Sequence, residues 1–137
     1  MHIERSSDHR VLLEQLLKRY TETPVELLFV EDIASWGKST GATVTGSPTA
    51  TALVGSPSRT WRIVIQERID AKRVSSNLQA MELFESHGQN VAALNTPERF
   101  LQHTVLHELA HLVLACGNDQ EELCNAWAFE RFAETDA

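Results

Sequence analysis

The chain has 137 residues, 42% of them hydrophobic and 23% charged, with a formal net charge of −7. That length suits a single domain over residues 1–137 with one core, and so acidic a chain lacks the basic field that binding to nucleic acid or to an anionic membrane requires. No apolar leader opens the sequence and no run approaches the roughly 18 apolar residues of a membrane span, so a cytoplasmic protein with neither nucleic acid nor membrane as partner is the expectation.

From the N-terminus, His9 to Tyr20 carries helical spacing in Val11, Leu12, Leu16 and Tyr20, with Leu13 and Leu17 widening the stripe. Pro24 ends the following turn. Val25 to Val30, "VELLFV", is a short run rich in strand formers and predicts a buried strand. Residues Lys38 to Thr60 are rich in Gly, Ser, Thr, Ala and Pro. Within them Thr43 to Thr45 and Thr51 to Val54 have strand propensity, and each is followed by Gly-Ser-Pro, a turn signal. A meander of short strands is expected there. "WGKSTG", Trp36 to Gly41, lacks the glycine that a phosphate-binding loop needs five positions before Gly37, where Asp32 stands, and reads as a solvated turn.

"TWRIVIQ" alternates Trp61, Ile63 and Ile65 with Arg62, Val64 and Gln66, the period of a strand. A weaker helix is expected from about Ser76 to Ser86, with Leu78, Met81 and Phe84 inward. Thr96 as cap, Pro97 at the first position and Glu98 in the first turn mark the start of a stronger helix, running to Ala115 or Cys116 before Gly117. A last helix starts near Asp119 and holds Leu123, Ala126, Trp127, Phe129 and Phe132. The two cysteines, Cys116 and Cys124, form no CxxC pair and no disulfide framework.

The chemistry is concentrated in "TVLHELAHLVLACG", Thr104 to Gly117. His107 and His111 are four apart, about 400° around a helix, so both project from one face. Two imidazoles placed so can hold one Zn²⁺. Glu108 stands about 100° round the helix, poorly placed as a third ligand but within reach of a water at the metal. That is the mechanical sense of an HExxH pattern: two ligands and a general base. A catalytic zinc also wants a third protein ligand and an open position. Downstream the candidates are Asp119, Glu121, Glu122 and, behind them, Cys124. Glu121 is preferred, because Asn125 shares its face one turn later and could orient Glu121 or a histidine ring. His103, one turn before His107, reads as a partly exposed residue near the helix start, with an added ligand or a substrate-side donor as alternatives. For a second group that stabilises an oxyanion, Tyr20, His87, His103 and Arg62 stay open.

"VLHELAHLVLA" followed by "EELCNAWAF" resembles the zinc metallopeptidases that pair HExxH with a downstream glutamate, and more narrowly the ImmA/IrrE group of bacterial and phage regulatory peptidases. The likeness covers Pro97 to Phe132. Cys124 stands where that group carries alanine, Trp127 where it carries phenylalanine, and only ten positions separate His111 from Glu121. The resemblance implies an α+β, zincin-like fold: a short mixed or antiparallel sheet over the HExxH helix and a C-terminal helix. It implies one zinc per chain on His107, His111 and Glu121, with Glu108 as catalytic base and a protein or peptide as substrate. It also implies an edge strand along the cleft; "TWRIVIQ" is the candidate for a strand near the cleft, and which strand forms the edge is not legible. The rival expectation is a zinc-binding regulatory or interaction module that cuts nothing. Oligomeric state is not legible.

Overall fold

The computed structural model describes residues 1–41, 49–54, 61–82, 91–115 and 120–136, apart from the side chains of Val54, Glu121, Thr135 and Asp136. Among them are a 3₁₀ turn (Ser6–His9), five α-helices and three strands: α1 Arg10–Tyr20, β1 Val25–Val30, α2 Ile33–Thr40, β2 Ala50–Val54, β3 Trp61–Gln66, α3 Ala71–Glu82, α4 Pro97–Val113 and α5 Glu121–Asp136. This is a mixed α+β architecture. The sheet order is β1-β3-β2, with β1 parallel and β2 antiparallel to β3.

The strand period decides what each face meets. Leu27, Ala50, Ile63 and Ile65 point into the main core with Leu13, Leu16 and Leu17 of α1 and Leu101, Val105 and Leu109 of α4. The opposite face is covered as well. Val64 is fully buried there, and Ile33 at the start of α2 is 1% exposed. Gln66 ties α2 to the sheet, its Oε1 accepting from the Ile33 amide and its Nε2 donating to the Glu31 carbonyl. α2 thus forms one layer, the sheet a second, and α1 with α4 a third; α5 packs on α4.

Helix ends follow from their caps. Thr96 Oγ1 accepts from the Arg99 amide at the start of α4, as its sequence predicts. Asp32 caps α2 by accepting from Ser35, first from its hydroxyl and then from its amide, and these bonds hold the Asp32 carboxyl below the usual range. Gly41 closes α2 at φ 78°.

Several expectations need correction. "WGKSTG" is not a turn: Trp36 to Thr40 lies within α2, which follows β1 after two residues. Gly37-Lys38-Ser39 therefore sits at a helix C-terminus, where carbonyls face outward, the wrong polarity for a phosphate. The third helix begins at Ala71 rather than near Ser76, because Asp70 caps it through the Arg73 amide. Of the expected meander, Thr51 to Val54 is β2, while Thr43 to Thr45 lies outside the described residues. The last helix does hold Leu123, Phe129 and Phe132 as expected, the two phenylalanines in the core and Leu123 49% exposed.

α4 ends at Val113, short of Gly117, and Ala115 then takes a left-handed conformation at φ 52°. An alanine there carries the Cβ strain that glycine avoids. Ala115→Gly should therefore stabilise the fold by about 0.5–1 kcal/mol, read as a higher denaturant midpoint at unchanged slope; a lower midpoint would contradict the strain.

Candidate metal centre

α4 is a core helix with one polar stripe. Leu106, Leu109 and Ala110 are fully buried. His107, Glu108 and His111 are half-buried at the rim of that core. The spacing expected from the sequence is realised. One donor atom from each of the three residues lies within 4.8 Å of the others, an arrangement that could hold a metal ion.

The ring geometry tests the fit. Two imidazoles on one tetrahedral ion, with nitrogens about 2.0–2.1 Å from it, keep their ring centres roughly 5 Å apart. The His107 and His111 rings stand 5.1 Å apart at an interplanar angle of 74°. Two imidazoles and a carboxylate are also donors that suit zinc.

His103 behaves otherwise. Its ring centre is 6.3 Å from that of His107, too wide for a tetrahedral pair, and it does not join the cluster. Nor is it partly exposed, as its place in the sequence suggested. It is 1% exposed, with its ring 4.3 Å from that of Phe129 on α5. The cause is α5, which returns along α4 and covers this turn.

The His103–Phe129 contact also fixes the register of the two helices. With an antiparallel return, one turn further along α4 and one turn back along α5 brings Asn125 level with His107. A second turn brings the Glu121 backbone level with His111. Asn125 is 5% exposed, consistent with a place between the helices. The side chain of Glu121 and all of Asp119 and Cys116 lie outside the described residues. Glu122 is exposed, Cys124 is buried, and neither joins the cluster.

Pairing order answers which strand is the edge, a question the sequence left open. β3 is paired on both sides, and β2 is the strand at the sheet edge packed against α4. Its signal was faint, being five residues, Ala50 to Val54, between glycine- and proline-rich stretches. The other edge is occupied. Val30 O accepts from the Glu67 amide beside β3, so by the strand period Leu27 O faces outward. The Arg10 guanidinium donates to it at 3.0 Å and lies over the Phe29 ring.

Two oxyanion candidates are committed elsewhere. Arg62 pairs with Glu26 at 3.2 Å, on the sheet face away from α4. The Tyr20 hydroxyl donates to Arg131 O at 3.1 Å and meets Glu134 Oε2 at 3.3 Å, with its ring edge-on to Trp127. His87 lies outside the described residues. Comparisons of the chain with family models, with curated proteins and with solved structures found no match.

Two outcomes are expected. His111→Ala removes half of the imidazole pair, so titration calorimetry with Zn²⁺ should show the wild-type binding isotherm lost; an unchanged isotherm would place the metal elsewhere. Tyr20→Phe should destabilise the fold by about 0.5–1.5 kcal/mol with Zn²⁺ binding unchanged, measured by denaturation and calorimetry; a change in metal affinity would mean that Tyr20 serves the site.

Proposed function

We propose that this protein is a zinc-dependent metallopeptidase of the kind that the HExxH and downstream glutamate pattern resembles. The observation that carries the reading is the chelating arrangement of His107 and His111, with the Glu108 carboxylate beside them. Glu121 is the proposed third ligand, supported by the helix register above and by the failure of Glu122 and Cys124 to join the cluster. One zinc per chain would be held by His107, His111 and Glu121.

When bound, zinc supplies a Lewis acid and lowers the pKa of water toward neutrality. The remaining work falls to the chain. Glu108 takes the water's proton on its carboxylate and returns it to the leaving amine. The buried flanks of α4 hold Glu108 and the two imidazoles on one rigid element, which keeps their relative positions fixed. β2 supports an extended peptide as substrate. A strand laid on its outer edge would gain main-chain hydrogen bonds next to α4. Nucleic acid is not proposed as a partner, in keeping with the net charge of −7. No helix among the described residues is long and apolar enough to cross a membrane.

A second reading has its own support. Tyr20 and Arg62 are both engaged away from the site, so neither is offered as a donor to a developing oxyanion. A regulatory module that binds zinc and a partner without cutting it would need no such donor.

Glu108→Gln separates the two. The substitution keeps the shape and removes the base. On a mixed peptide library read by mass spectrometry, wild type should cleave, and the variant should lose roughly 10²–10⁴-fold in rate while retaining one zinc per chain. Full activity in the zinc-loaded variant would overturn the mechanism. A zinc-loaded wild type that cuts nothing in the library would favour the module.

A further inference from the structure

Asn125 is 5% exposed, and its neighbours on the same helix are Cys124 and Ala128, both fully buried, and Phe129 of the core. Its amide carries two donors and an acceptor, and among the described residues it has no hydrogen-bond partner. Ser6, also buried, shows the usual arrangement, its Oγ donating to the Gln66 carbonyl at 2.8 Å. A buried amide with no partner opposes folding, whereas a leucine of the same branched shape would fill the space without a polar group to desolvate. Packing alone therefore does not account for an asparagine here, whereas a polar task would.

The helix geometry says where that task lies. A helical side chain leans toward the preceding turn, so Asn125 leans toward Glu121, four residues earlier on the same face. The following turn offers Phe129, an apolar ring that lies against His103. The register set by that contact brings Asn125 level with His107 and the Glu121 backbone level with His111. Asn125 thus stands one turn in from the proposed third ligand. A carboxylate that gives one oxygen to a metal keeps a second oxygen that calls for a donor, and such outer donors fix the ligand's orientation. An amide one helical turn away can supply it.

We propose that Asn125 is a positioning residue for the third metal ligand. In the zinc-loaded protein its Nδ2–H donates to the Glu121 carboxylate and fixes the orientation of that group. α4 then contributes the two imidazoles, and α5 contributes the carboxylate together with its donor. This rests on the zinc reading above, with Glu121 as a ligand.

A double-mutant cycle tests it. Zn²⁺ affinity is measured, by competition with chromogenic chelators of graded strength, in wild type, Asn125→Leu, Glu121→Ala and the double variant, with thermal midpoints of the metal-free proteins alongside. Leu keeps the branched shape and removes the donor; Asn125→Ala, smaller than the native side chain, runs the same cycle and should give the same coupling. The expected result is a roughly 10–100-fold weaker affinity in Asn125→Leu, with a metal-free midpoint no lower than wild type, and no further loss when Asn125→Leu is added to Glu121→Ala. Equal affinity in wild type and Asn125→Leu would overturn the proposal, leaving Asn125 as filling. A loss just as large in the Glu121→Ala background would overturn it too, since Asn125 would then act on another group. Wild-type affinity in Glu121→Ala removes the third ligand and the proposal with it. A wild type that binds no Zn²⁺ fails earlier and overturns the zinc reading itself, which a loss confined to the Asn125 variants does not.

Discussion

The structure turns on one helix that does two jobs with one periodicity. An α-helix returns to the same side every four residues, so His107 and His111 meet at a ring spacing of 5.1 Å while Leu106, Leu109 and Ala110 close the core behind them. Neither job can shift without the other. A one-residue slip would carry the imidazoles about 100° into the core and bring leucines to the rim. The hydrophobic demand on the rest of α4 is what holds the polar stripe in place.

Other elements brace that helix. α1 and the sheet bury its apolar faces, and α5 closes over its first half at the His103–Phe129 contact. The far end of α5 is pinned to α1 by Tyr20, whose hydroxyl reaches Arg131, and by the Arg131 guanidinium stacked 4.3 Å over Trp127. The two sheet edges are treated differently. Arg10 takes up an outward carbonyl of β1, as natural proteins do to blunt an edge. β2, beside α4, pairs with β3 alone among the described residues.

Much of this was legible in the sequence, for definite reasons. The strands at Val25–Val30 and Trp61–Gln66 carry enough β-branched and aromatic residues to declare themselves, and Thr96-Pro97-Glu98 is a strong helix start. The His107–Glu108–His111 cluster follows from local spacing, whereas the α+β class was implied by the family resemblance. What failed was non-local. α2 was hidden because Gly37, Ser39 and Thr40 are weak helix formers; its stability comes from Ile33 buried against the sheet, from Gln66 and from the Asp32 cap. The burial of His103 depends on a helix that arrives some twenty-five residues later in the chain. That β2 rather than β3 is the edge is a fact of pairing order, which no single strand's composition encodes.

The central claim is an open zinc centre built on His107, His111 and Glu121. Zinc K-edge X-ray absorption on the loaded wild-type protein tests it most directly. The account predicts two imidazoles with further oxygen donors, all at about 2.0–2.1 Å, and no sulfur. A zinc–sulfur shell near 2.3 Å, or four imidazole and thiolate ligands with no light oxygen, would mean a closed structural site and would contradict it.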